Sequence, residues 1–126
     1  MDWLSQIGID GVIVQDVGLM NLVLKYCPEM DVHTSTQMTI ANIETITYLK
    51  NIGVKRVVVP RESSLADIKV LSEGGLELEA FVHGAICISY SGQCLLSSMI
   101  GGRSGNKGAC AQPCRLTYNL YLGIKK

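Results

Sequence analysis

The sequence predicts an α/β protein: a repeat of parallel βα units, about four strands long, followed by a cysteine-rich loop. Three observations predict it. Short apolar runs rich in β-favouring residues alternate with apolar stripes at helical spacing, at intervals of about 20 to 24 residues, as parallel strands joined by crossover helices require. Strongly polar residues stand where the apolar runs stop, and α/β sheets place their chemistry at such strand ends. Beyond the fourth run both periods give way to "CISYSGQCLLSSMIGGRSGNKGACAQPC", Cys87 to Cys114, which holds four of the five cysteines. A doubly wound sheet and a slice of a (β/α)8 barrel both satisfy this pattern. No G-x-G-x-x-G follows the first strand, which counts against a dinucleotide-binding fold.

The elements follow in order. "IDGVIVQD" places Ile9, Val12, Ile13 and Val14 in a strand that ends at Gln15 and Asp16. Leu19, Leu22, Val23 and Tyr26 then recur at helical spacing before Pro28. "DVHTS" is a short strand candidate ahead of Ile40, Ile43, Ile46 and Leu49, the stripe of a second helix ending near Gly53. "VKRVVVP" supplies Val54, Val57, Val58 and Val59, stopped by Pro60. Leu65, Ile68 and Leu71 form a third helical stripe, and Ser64 with Asp67 reads as a capping box at its start. "LELEAFVHGA" is the fourth strand candidate, stopped by Gly84.

Bulk properties set further bounds. The chain has 126 residues, 48% apolar residues and zero net charge, ordinary values for one small globular domain. The charge is unevenly placed. All eleven acidic residues lie at or before Glu79, against six Lys and Arg there, so the first part carries −5; Arg103, Lys107, Arg115, Lys125 and Lys126 give the remainder +5. A basic end of that size suits phosphate, RNA, an acidic neighbour or plain solvation. The start shows no signal peptide and no apolar run reaches membrane-spanning length, so the expected setting is the cytoplasm, away from membranes, where free thiols outnumber disulfides. Four βα units are too few to close an eight-stranded barrel. The expectation is a partial domain whose sheet edges are covered by missing barrel segments or by a second copy in a homo-oligomer.

The cysteines are spaced C-x6-C-x15-C-x3-C. Zinc knuckles usually carry two tight pairs, whereas iron–sulfur ligands tolerate wider separation. Gly101, Gly102, Gly105 and Gly108 let backbone approach a bulky group, and Arg103 and Lys107 can offset thiolate charge. This reading favours a [4Fe–4S] cluster on Cys87, Cys94, Cys110 and Cys114; structural zinc, redox or catalytic thiols, and buried or free cysteines stay as alternatives. Cys27 falls on the first helix and reads as packing.

Polar residues at the strand ends form a candidate pocket rim. Asp16 suits a pocket carboxylate or a helix cap; His33 and Gln37 suit a hydrogen-bonding wall or turn chemistry. Arg61 with Glu62 reads as a substrate clamp or an ion pair, and His83 as a pocket group or local packing. Glu77 and Glu79 share a strand face, where they bind a cation, act as acid and base, or face solvent. Tyr90 and Tyr118 stack on a base or pack. No G-x-S-x-G elbow and no Ser–His–Asp order stands out, so the residues give proteolysis little support.

"ELEAFVHGAICISYSGQCLLSSMIGGRSGNKGACAQPCR" resembles the signature of the peptidase U32, or collagenase-like protease, family. The matching residues are Glu79, Phe81, His83, Gly84, Cys87, Ser91, Gly92, Cys94, Leu96 and Ser97, and "DGVIVQDVG", "HTSTQM" and "RVVVPRE" are similar to family segments upstream. Pro60 departs from the family's usual "LARE". The resemblance implies a TIM-barrel-like domain of which this chain carries the central strands through the seventh: residues 1–84 as the βα-repeat portion and 85–126 as the cysteine-rich, cluster-binding segment. It implies a [4Fe–4S] cluster on the four cysteines, and hydroxylation of RNA (tRNA or rRNA) or a quinone precursor, with a small-molecule hydroxyl donor such as prephenate. It equally carries the older implication of a peptidase acting on a peptide substrate, with Glu79, His83 or Glu62 polarising water. Asp16, His33, Gln37 and Arg61 are then the expected substrate contacts. A non-catalytic iron–sulfur interaction fragment is the third reading.

Overall fold

The computed structural model describes residues 2–123, which divide into two compact units between Gly92 and Gln93. In the first, β1 (Gly11–Val14), β2 (Asp31–Thr34), β3 (Arg56–Val58) and β4 (Glu77–Glu79) pair in parallel in chain order. A doubly wound sheet reverses its order at a switch point. Here nothing reverses, so the arrangement is that of consecutive (β/α)8 barrel units, as expected. Among the described residues β1 and β4 remain the two open edges.

A short α1 (Asp2–Gln6) precedes the sheet, and α2 (Val17–Tyr26), α3 (Ile43–Ile52) and α4 (Leu65–Ser72) connect the strands. Each connecting helix starts on a side chain that takes up an orphan amide. Asp16 accepts from the Leu19 amide at 2.7 Å and Asn42 from that of Thr45 at 2.8 Å. Ser64 and Asp67 form the expected capping box, at 3.2 Å and 2.9 Å. The Ser64 hydroxyl and amide both donate to Asp67 and hold its carboxyl below the usual range. At its far end α3 stops on Gly53, whose φ of 100° suits glycine.

One sheet face is apolar. Val14, Val32 and Val57 are buried in one cluster with Met20 and Val23 of α2, Ile46 and Leu49 of α3, and Leu71 of α4, and Thr34 is buried on the same sheet face. Two expected stripes need correction. In α2 the buried residues are Met20 and Val23, while Leu19, Leu22 and Tyr26 are exposed. That helix is apolar on both sides, so period alone did not choose its inward face. In α4 Leu71 is buried but Leu65 is 87% exposed. The fourth strand is also shorter than its β-favouring run: pairing stops at Glu79, and Phe81 and Val82 are exposed.

The second unit contains α5 (Leu96–Gly101) and two 3₁₀ turns, Gly105–Lys107 and Pro113–Arg115. Ser97 and Pro113 are its buried described residues, so hydrogen bonds carry much of its order. Ser97 Oγ accepts from the Ala111 amide at 2.9 Å, Arg103 Nε donates to the Ala109 carbonyl at 2.9 Å, and the Tyr118 hydroxyl donates to the Pro113 carbonyl at 2.7 Å. Across the described residues no helix is long and apolar enough to cross a membrane.

Gly74 marks the tightest approach between α3 and the turn after α4, because a Cβ there would overlap Ile46 Cγ2. Gly74→Ala is expected to lower unfolding free energy by about 1–3 kcal/mol. Gly101→Ala, where a Cβ meets nothing within 4 Å, is expected to leave it unchanged or slightly raised in the same denaturant titration.

Candidate functional site

Parallel register brings the carboxyl ends of all four strands of the first unit to one rim. Val14 stands opposite Thr34, Thr34 opposite Val57, and Val58 opposite Glu79. Past the strands the Val59 amide still donates to the Glu79 carbonyl at 2.9 Å. Pro60, a buried residue, ends this pairing because it has no amide to give, and the chain turns at Arg61 and Glu62.

These two residues hold the segment that follows β4. Arg61 Nη1 donates to the Ala85 carbonyl at 2.9 Å, and its guanidinium lies over the Phe81 ring, 4.5 Å from the centroid. Glu62 Oε1 accepts from the Ser91 amide at 3.0 Å. Ser91 has a φ of 51°, a left-handed conformation unfavourable for a residue with a Cβ. The charged acceptor on its amide helps hold that turn. The turn Tyr90–Gly92 in turn packs against the 3₁₀ turn Thr36–Met38 after β2. Residues 81–91 are thus tied to the loops after both β2 and β3.

The expected site residues therefore play different parts. Asp16 caps α2. Gln37 lies in the Thr36–Met38 turn, its amide donating to Ser35 Oγ at 3.2 Å. His33 is half-buried on β2, in register with Arg56 on one side and Ile13 on the other. His83 is exposed on the tied segment. Glu79 is not a free base. With Glu77 it shares a sheet face, as expected, but the two carboxylates grip Arg56: Nη2 and Nε reach Glu77 Oε2 at 2.9 Å and 3.1 Å, and Nη1 reaches Glu79 Oε2 at 3.4 Å. The hydrogen bond from Arg56, then its charge, hold the Glu77 carboxyl below the usual range, and Glu77 raises Arg56 in return. Sequence reasoning missed Arg56, Phe81 and Ser91 as partners in these contacts. Arg56 left one signal, a cation alternating with valines within a strand; the left-handed turn at Ser91 left none.

The cysteines require a correction. Among the described residues no three or more His, Cys, Asp or Glu side chains come together as a metal site. This overturns the expected [4Fe–4S] cluster on Cys87, Cys94, Cys110 and Cys114. All five cysteines are free thiols, and Cys27 is buried in the core. Three of the four turn into local contacts rather than toward a shared centre. Cys87 Sγ accepts from the Ser89 amide at 3.4 Å, Cys94 Sγ from Leu96 at 3.4 Å, and Cys110 Sγ from Gln112 at 3.3 Å. Cys110 and Cys114 are exposed.

The chain matches peptidase family U32 over residues 1–126. It is 39% identical to tRNA hydroxylation protein P1 of Bacillus subtilis, across 95% of this chain and 29% of the relative. It is 41% identical to tRNA hydroxylation protein P of Escherichia coli, across 94% and 26%. It is also 41% identical to the 23S rRNA 5-hydroxycytidine C2501 synthase of Escherichia coli, across 93% and 18%. The chain thus spans less than a third of the length of these curated relatives. No solved structure matches it.

Two outcomes follow from this geometry. Glu62→Ala is expected to speed hydrogen exchange at the Ser91 amide by about tenfold, the loss of one bond to a charged acceptor, while the Val57 amide in the core is unchanged. Glu77 and Asp67 both have depressed carboxyl values, so their stabilisation is full above the unfolded carboxylate range and is lost as pH falls through the lower folded values. Urea midpoints measured from about pH 6 down to about pH 3 are expected to decline, and Arg56→Gln removes the part of that decline due to Glu77.

Proposed function

The chain belongs to peptidase family U32, and from that premise we propose that it acts in the hydroxylation of a nucleotide in transfer or ribosomal RNA. The observation that carries this reading is the 39–41% identity to proteins named for tRNA hydroxylation and for 5-hydroxycytidine synthesis in 23S rRNA, across nearly all of this chain. The third of these names describes hydroxylation at a base, which exchanges a C–H bond for C–OH. A small-molecule hydroxyl donor such as prephenate balances that exchange when the donor's carbon takes up the hydrogen in place of its hydroxyl.

The rim supports a division of labour. His33, Gln37 and His83 are the proposed contacts to the base and the donor, since imidazole and amide groups both donate and accept hydrogen bonds. Arg61 and Glu62 are proposed as positioning residues that hold residues 81–91 in place. Peptide hydrolysis has weaker support, because Glu62 and Glu79 are committed to the Ser91 amide and to Arg56.

Deleting the gene is expected to remove one hydroxylated nucleoside from digested cellular RNA, read by mass spectrometry. The full reading frame restores it, while His83→Ala, an exposed substitution with little effect on folding, restores it at least tenfold less. An unchanged nucleoside profile in the deletion strain, together with peptide cleavage by the purified protein, rejects the proposal in favour of proteolysis.

A further inference from the structure

We infer that the second unit is the surface on which this protein grips RNA, with Lys107 and Arg115 on phosphates and Tyr118 under an unpaired base. The inference rests on the RNA reading above and adds to it the part of the molecule that makes the contact.

The first argument is electrostatic. Residues 1–92 carry eleven carboxylates against six Lys and Arg, whereas residues 93–126 carry five Lys and Arg and no carboxylate. Two of those cations, Lys125 and Lys126, lie outside the described residues. A polyanion is repelled by a unit of net charge −5 and drawn to one of net charge +5, and RNA carries a phosphate charge at every nucleotide.

The second argument is the presentation of those charges. Arg103 Nε donates to the Ala109 carbonyl at 2.9 Å and so bridges the loop that contains Lys107. Lys107 ends the Gly105–Lys107 turn, which Gly108 closes at a φ of 69°, and its side chain is exposed. Arg115 ends the next turn, Pro113–Arg115. Three residues on, Tyr118 is 65% exposed, yet its hydroxyl is tied at 2.7 Å to the carbonyl of buried Pro113. An exposed ring anchored by its polar tip loses little freedom when it stacks. Bases offer a face for stacking in loops and single strands, not inside a duplex. The favoured ligand is therefore RNA with unpaired bases.

The test uses the full chain, total tRNA, a single-stranded oligouridylate and a blunt RNA duplex, with dissociation constants measured over a salt series. Lys107→Ala is expected to weaken binding to all three and to reduce the slope of log affinity against log salt by about 0.7 to 0.9, one phosphate contact. Tyr118→Ala is expected to weaken oligouridylate binding by about tenfold, with duplex binding and the salt slope unchanged. A general folding defect would lower both RNA forms alike and overturn the stacking role. Wild-type affinity and slope in both variants overturn this surface while leaving the RNA reading intact. A wild-type chain that binds none of the three overturns both. Polyglutamate displacing tRNA as well as oligouridylate does overturns the assignment in favour of an acidic protein partner.

Discussion

Because each strand pairs in parallel with the one before it, every strand of the first unit leaves the sheet on the same rim, and every loop that follows a strand is forced into that neighbourhood. Helix α2, α3 and α4 then cover one face, where Val14, Val32, Thr34 and Val57 are buried. The opposite face carries Ile13, His33, Arg56, Val58, Glu77 and Glu79, which stand across from one another through the strand register. That face mixes buried Val58 with charged residues rather than presenting apolar side chains alone. Its charges are settled within the sheet, by one guanidinium bridging two carboxylates. Since both partners are well exposed, this pairing contributes to geometry more than to net stability.

The same economy governs the rim. Glu62 spends one carboxylate oxygen on the Ser91 amide, so that oxygen serves the backbone turn. The Arg61 guanidinium, stacked on Phe81 and bonded to the Ala85 carbonyl, is held in one orientation. Arg61 and Glu62 are thus better understood through what they fix: a left-handed turn and a segment with little pairing of its own. The chain's two histidines, His33 and His83, sit on the regular strand and on that fixed segment.

The parts of this organisation that depend on local period were legible in the sequence. Alternating strand and helix patterns, the capping box at Ser64 and Asp67, the stop at Pro60 and the shared face of Glu77 and Glu79 each follow from neighbours within a few residues. What the sequence did not disclose depends on contacts between distant residues. The inward face of α2 was ambiguous because leucines and valines surround that helix. The end of β4 was invisible because "AFV" keeps a strand-like composition after its pairing partner has ended at Pro60. Glu62 meets Ser91 across 29 positions, a span over which no periodicity carries information. The cysteine block misled for a related reason. Spacing says which thiols are near in the chain, but Cys87, Cys94 and Cys110 each accept from the amide two residues on, a contact that a ligand-spacing pattern does not encode.

The two units also differ in what holds them together. The first buries a continuous apolar cluster, whereas the second buries little and carries only positive charge. A segment of about 30 residues seldom assembles a core large enough to offset its conformational entropy. Mutual repulsion among its cations opposes order in this unit, and the bonds at Ser97, Arg103 and Tyr118 support it. A polyanion lying across such a unit would remove the repulsion and select the ordered arrangement, so binding and local stability are linked by mass action. Composition that looks unfavourable for folding in isolation is therefore consistent with a surface whose ordered form is matched to a negatively charged partner.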